Sequence, residues 1–373
     1  MHVGVLGWRA EGLLRNMKST QKAFGKSRLI ICCQQKDIKR VSEAVDGALV
    51  FSPEGAEGVF PKGDSERNGS IGHARNLILL SSIAIGRQEN IVLLDDDISP
   101  DDKTAKAFDS AFSKYDLVQG NYVGSSGNGI YSLVYFFDLL SDQDRPDFER
   151  LVKNAVCGAV PSPKKAPSVA GLAGGLAGLS AAIKAKNCFA SFNDYSFDDH
   201  FYEFSTRYIF PEGRFMGHST AESDIPVALH DAENGKPGKL VDNFVRHVRS
   251  AIVESYFYFR LSGCLPRIVG GKHALVRTGE FDPNAVAKEI LASAVEKFRM
   301  AAQSHVPRFE ADPELQKQLL RIASLHDDDF FVPQDALSRE WDEFEAERAW
   351  FFEACRKCEK EGSGISERLL SGR

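Results

Sequence analysis

The stretch Asn90-Ile91-Val92-Leu93-Leu94-Asp95-Asp96-Asp97 runs four apolar residues straight into three carboxylates. An unbroken apolar run of this length predicts a strand buried on both faces, with the acids emerging where it ends. Open α/β sheets bind ligands at the carboxyl ends of their strands, so the triplet is placed where a ligand would lie. Three carboxylates crowded there repel one another and raise their own pKa values unless a cation offsets the charge. Hard divalent ions such as Mg2+ or Mn2+ favour oxygen ligands, and the chemistry predicted is metal-held diphosphate. The competing reading is a solvated turn, with Ser99, Pro100, Asp101 and Asp102 opening the next helix.

Around this stretch, apolar runs alternate with helix-like segments. Val3 to Leu6 precedes a helix over Glu11 to Phe24, Arg28 to Cys33 precedes Asp37 to Val45, and Ala48 to Phe51 precedes Ile71 to Ile85. After the acidic strand come a helix from Asp102 to Tyr115 and a strand from Leu117 to Val123. Such βαβ alternation with right-handed crossovers predicts a Rossmann-like, mostly parallel sheet flanked by helices. Ser52 to Ser70, with four glycines, is longer than most connections and is expected to be a mobile loop over the crevice. Gly124 to Gly129 and Pro161 to Pro167 bracket an expected inserted helical element.

From about residue 238 the pattern becomes helical. Asp282-Pro283 and Asp312-Pro313 each pair an N-cap residue with proline at the first helical position. A last helix is expected from Asp335, carrying Leu337, Trp341, Phe344, Phe351 and Cys355 on one face. The expected organisation is therefore a catalytic-type α/β domain over 1–235 and a helical C-terminal region over 236–373. That region would pack on the first domain, meet an acceptor or partner, or form a homo-oligomer.

Composition narrows the classes. The 373-residue chain is 43% hydrophobic, enough for a sizeable core. Its formal net charge of -6 argues against a general nucleic-acid binder, which would concentrate basic surface against phosphates. Neither Gly129 to Leu140 nor Ser168 to Ile183 reaches the roughly 20 strongly apolar residues of a membrane span. Met1 to Arg9 reads as a strand and polar turn, unlike an export signal. Seven cysteines without a repeated spacing fit free thiols in a reducing compartment. The expected location is the cytoplasm, with peripheral attachment to a membrane compatible with the composition. Cys355-Arg356-Lys357-Cys358 has redox or zinc spacing, but no second pair completes a zinc set, and packing is the expected role.

Taken in order, these motifs resemble the inverting GT-A glycosyltransferases, the nucleotide-sugar-dependent family 2. Gly72-His73-Ala74-Arg75-Asn76 is similar to that family's Gly-x-x-x-Ala-Arg-Asn helix start, and Asp95-Asp96-Asp97 to its DxD motif. Asp116 to Gly120 looks like the strand after the metal motif, and Ala173-Gly174-Gly175 through Lys184 like the acceptor-side segment. Phe197-Asp198-Asp199-His200 resembles the acidic pair that supplies the catalytic base, and His230 a late histidine that coordinates the metal, with His218 as its rival. The resemblance covers roughly residues 1 to 235.

It implies a GT-A fold, a nucleotide-sugar donor, a glycan, glycoconjugate or small-molecule acceptor, and Mn2+ or Mg2+ held by Asp97, Asp95 and His230. Arg9, Arg75, Asp95 and Asp96 would contact the donor. Arg75 is read either as a helix-start cation that contacts the diphosphate or orients Asp95, or as an ordinary partner for a nearby carboxylate, and His73 as a satisfied surface or packing histidine. Asp199 or Asp198 would take the proton from an attacking hydroxyl. The chain departs from the pattern at Leu6-Gly7-Trp8-Arg9, where Pro-Thr is usual, and at Cys33-Gln34-Gln35, where an aspartate often meets the base. Two rivals are a sugar nucleotidyltransferase, poorly served by the single glycine in Gly7-Trp8-Arg9-Ala10-Glu11, and a non-catalytic nucleotide- or glycan-binding protein. Asp327-Asp328-Asp329 follows an amphipathic helix and is expected to be a solvated, helix-ending loop.

Overall fold

The computed structural model describes residues 1–56, 58–60, 70–126, 160–161, 175–192, 195, 197–217, 220, 225–231, 240–269, 272–290, 300, 303–304, 306 and 313–371. The inserted element, His218, most of the loop expected over the crevice and the expected boundary near 235 lie outside them.

The acidic strand is central. It is β4 (Ile91–Asp95), and with β1 (His2–Gly7), β2 (Arg28–Cys33), β3 (Leu49–Phe51), β6 (Leu117–Gln119) and β9 (Leu176–Leu179) it forms one sheet in the order β3-β2-β1-β4-β9-β6. Strands β1 to β4 run parallel, whereas β9 is antiparallel to both of its neighbours. The fold is the expected mixed α/β class with a mostly parallel sheet. Helices α1 (Ala10–Phe24), α2 (Ile38–Ala44) and α5 (Asp102–Phe112) share one core with Val3, Val5, Val92 and Leu94. On the other face, Leu6, Ile91 and Leu93 meet α4 (Ile71–Ile85), which follows the short α3 (Pro53–Ala56).

Helix α4 is buried on nearly every side because the C-terminal part closes over it. Helices α6 (Asp198–Ile209), α7 (Leu240–Ser262), α8 (Pro283–Ile290), α9 (Pro313–Ala323), α10 (Gln334–Glu361) and α11 (Ser363–Ser371) follow among the described residues. Trp341, Phe344, Phe351, Cys355 and Cys358 of α10 join the same core as α4, so the face read from the sequence is a packing face and both cysteines are buried core residues. The Asp327–Phe330 segment is a short 3-10 turn capped by His326, with its three acids exposed as expected.

Two expectations are corrected. The C-terminal region is not wholly helical: β11 (Cys264–Val269) and β12 (Lys272–Arg277) form an antiparallel pair. Gly270-Gly271 between two such runs is a hairpin signal that the stronger Asp-Pro helix starts obscured. The single strand expected over Leu117 to Val123 is two. The chain breaks at Gly120, where a Cβ would lie 2.3 Å from Leu176 Cγ and 2.8 Å from Leu176 O. Beyond it, β7 (Asn121–Ser126) enters a second sheet, ordered β5-β10-β7-β8, with β5 (Ile98–Ser99), β8 (Val160–Pro161) and β10 (Val227–Asp231).

Candidate active site

The triplet lies at the junction of the two sheets, since β4 ends at Asp95 and β5 begins at Ile98. Asp95 N–H donates to Gly175 O at 3.1 Å, which fixes the strand end against the segment leading into β9. Arg75 Nη2 lies 3.3 Å from Asp95 Oδ1, and Arg75 Nη1 donates to Asp198 Oδ2 at the start of α6. Arg75 is 5% exposed and lies over the Phe189 ring, 5.5 Å from its centroid. A buried guanidinium thus joins the strand-end carboxylate to the acidic pair, uniting residues more than a hundred positions apart. Arg75 is thus a partner of two carboxylates, Asp95 and Asp198.

The neighbours of Arg75 face the other way. His73 Nδ1 and Asn76 Nδ2 each lie 2.9 Å from Glu347 Oε1 on α10, and Asn76 also exchanges hydrogen bonds with the Phe189 backbone. His73 is therefore the packing residue expected. Gly72 allows this close approach, because a Cβ there would sit 1.9 Å from Ala190 O.

Electrostatics follow burial and pairing. Burial pushes the Asp95 carboxyl up to about 6, with Arg75 opposing the rise and Asp97 and Asp96 adding to it. Burial also raises Asp198, against the pull of Arg75 and with help from Asp199. Burial works against the charge of Arg75, but Asp198, Asp95 and Asp199 outweigh it and the guanidinium holds its proton. Asp198 is the first residue of α6, and Phe197 occupies the N-cap position, so its carboxylate serves Arg75 rather than a cap. Asp199 Oδ1 accepts from the His200 N–H at 2.9 Å, and both acids gain from the helix N-terminus.

The other two acids of the triplet turn toward α1. Asp96 is buried, accepts from the Arg9 N–H and from Arg9 Nη2 at 2.7 Å each, and its carbonyl accepts from Asn16 Nδ2 at 2.8 Å. Expected beside the donor, Asp96 is placed as the clamp on the N-terminus of α1. Arg9 Nη2 also lies 2.7 Å from Asp97 Oδ2. The antiparallel register of β10 on β5 sets His230 opposite Ile98, and so His230 Nε2 comes within 3.5 Å of Asp97 Oδ1. The Tyr122 ring lies beside it at a tilt of 45°, with ring centroids 5.1 Å apart. Sequence reading passed over Tyr122 and Asn16; the break at Gly120 was the available signal for Tyr122, and none marks Asn16.

Asp97 and His230 fit a shared divalent ion: two ligands each about 2.1 Å from one ion span up to roughly 4 Å, which accommodates their separation. Among the described residues no cluster of three or more His, Cys, Asp and Glu side chains could hold a metal by itself. Mg2+-type sites commonly combine one or two protein ligands with phosphate oxygens and water, so a diphosphate would complete this one.

No protein-family model matches the chain, and no curated protein matches it. The solved structures it is similar to include glycosyltransferases. S. aureus TarS 1-349 in complex with UDP-GlcNAc matches at 11% identity and a TM-score of 0.38, over 97% of this chain and 91% of that one. Mouse xyloside xylosyltransferase 1 in its apo form matches at 12% and 0.27, over 60% and 80% respectively. The galactosyltransferase LgtC, in complex with donor and acceptor sugar analogs, matches at 10% and 0.25, over 61% and 73%. At these identities and TM-scores the chemistry has to be argued from this chain's own residues. Among the described residues no helix is long and apolar enough to cross a membrane.

Proposed function

We propose that the chain is a metal-dependent glycosyltransferase that moves a sugar from a nucleotide-sugar donor to an acceptor hydroxyl with inversion. The observation that carries this reading is the Asp95–Arg75–Asp198 bridge, which ties the acidic turn at the end of β4 to the pair of carboxylates at the start of α6. A sugar between them would have its leaving group on the Asp97 side and its attacked carbon facing α6.

Asp97 and His230 are the residues suited to hold Mn2+ or Mg2+, which when bound offsets negative charge developing on the departing diphosphate. Asp198 pairs with Arg75, a positioning role, and Asp199 beside it at the start of α6 acts as the general base. As the acceptor oxygen attacks the anomeric carbon, Asp199 takes the hydroxyl proton and the bond from that carbon to the diphosphate oxygen breaks. Asp95 and Arg75 hold the two halves in register, an orientation effect rather than a bond-making role. The acceptor is a glycan, a glycoconjugate or a small hydroxylated molecule, and the cytoplasm, with peripheral attachment to a membrane compatible, is the proposed setting.

A thermal-shift screen of UDP-, GDP-, dTDP- and CMP-sugars, each with and without Mn2+, tests the reading. A ligand at about 100 times its Kd stabilises the native state by about 2.7 kcal/mol, so one donor class should raise Tm only when Mn2+ is present. Turnover of that donor with an acceptor then separates an enzyme from a binding protein. A flat response to every sugar nucleotide overturns the proposal.

A further inference from the structure

Asp96 and Asp97 share one guanidinium but hold it on different terms. The Asp96 side chain is 7% exposed and takes both the backbone N–H and Nη2 of Arg9. Asp97 takes Nη2 on Oδ2 alone, while its Oδ1 faces His230. The Arg9 side chain is 44% exposed, so its tip can move while its backbone stays clamped. A divalent ion on Asp97 would lie within about 5 Å of Nη2 as placed, a cation-to-cation approach that opposes its entry. A diphosphate entering with the ion reverses this, since a guanidinium matches phosphate oxygens with paired donors.

We propose that Arg9 is a mobile counter-ion for Asp97, covering the carboxylate in the donor-free protein and transferring to the diphosphate as a divalent cation takes its place. The consequence is that cation and donor enter together, and the protein resists the cation alone. The inference rests on the glycosyltransferase reading and assigns to Arg9 a role in specificity for the cation-diphosphate pair.

The test is the affinity of the full chain for Mn2+ alone, read by the electron paramagnetic resonance of free Mn2+, in wild type, Arg9→Ala and Arg9→Gln. Arg9→Gln keeps a polar stem beside Asp96 without the charge and serves if the alanine variant does not fold. Coupling between sites is typically about 5- to 150-fold, and both variants should bind Mn2+ alone at least about 10-fold more tightly than wild type. UDP or GDP, titrated with Mn2+ present, should bind them about 10-fold more weakly, and adding Asp97→Asn should erase the Mn2+ gain. Equal Mn2+ affinity in wild type and variants, with nucleotide binding to wild type intact, overturns the role of Arg9. Failure of wild type to bind any of UDP, GDP, dTDP and CMP with Mn2+ overturns the functional reading beneath it.

Discussion

Replacing Arg75 by methionine keeps a stem against Phe189 but removes the charge between Asp95 and Asp198. The Arg75 side chain is 6% exposed and that of Asp198 16%, so this pair belongs to the buried class, where deleting one partner costs about 3–5 kcal/mol. Asp95 is more open to water, and its share is discounted accordingly. Loss of the cation over the ring adds about 0.5–1 kcal/mol. The expected destabilisation at about pH 8 is therefore about 3.5–6 kcal/mol.

The sign of its pH dependence follows from both carboxyls titrating above their ordinary value of 3.8 in the folded protein. Between that value and the raised one, the native state binds more protons than the unfolded chain, so stability falls as pH rises through the window. Without Arg75 the rise grows, and protonation relieves the variant at low pH. Urea unfolding followed by the fluorescence of Trp8, Trp341 and Trp350 should show the Arg75→Met deficit at about pH 5 shrink to less than half of that at about pH 8. Adding Asp198→Asn should recover much of the neutral-pH loss. A deficit below about 1 kcal/mol, or one equal at the two pH values, would refute a buried ionic bridge.

Three further outcomes are expected. Gly175→Ala places a Cβ 2.5 Å from Asp95 Oδ2 and 2.9 Å from the Tyr122 hydroxyl, and should cost about 1–3 kcal/mol in thermal unfolding and weaken Mn2+-dependent donor binding in calorimetry. Asp199→Asn should lower turnover by about 100-fold or more with donor affinity unchanged, and Asp198→Asn should be milder in rate, as steady-state kinetics with donor titration will report. Lys184 is fully buried and donates to the Gly86 and Glu89 carbonyls at 2.9 and 2.7 Å, and burial pushes its pKa down to about 8. From about 8 to 10.5 the native state binds fewer protons than the unfolded chain, so unfolding free energy should rise with pH there and Lys184→Met should flatten the rise.

The elements were legible where their signals are local. Helix α4 begins and ends where its pattern predicts because Ser70 accepts from the His73 N–H at its start and Gly86 ends it. The Asp101 and Thr104 capping box fixes the start of α5 in the same way, although that helix ends at Phe112 rather than at the expected Tyr115. The acids at the end of β4 were equally visible, since a buried run followed by charge needs only adjacent residues to be read. The split at Gly120 was not, because it answers to Leu176, far along the chain.

The amino-acid sequence by itself determined the α/β alternation, the strand-end carboxylates and the packing face of α10, all of which depend on side-chain type at spacings of a few residues. Tertiary structure alone decided partners. The need for a positive charge near Asp95, Asp96 and Asp97 follows from Coulomb repulsion and was readable, as was Arg75 as a partner for Asp95, but not that Arg9 supplies it to Asp96 and Asp97 or that Arg75 is shared with Asp198. That choice depends on strand order and register: β1 beside β4 brings Arg9 to Asp96 and Asp97, and β10 on β5 brings His230 to Asp97. Such contacts join residues 87 or more positions apart, and no local propensity encodes them; they arise because burying both faces of one sheet leaves few arrangements in which these charges are also paired.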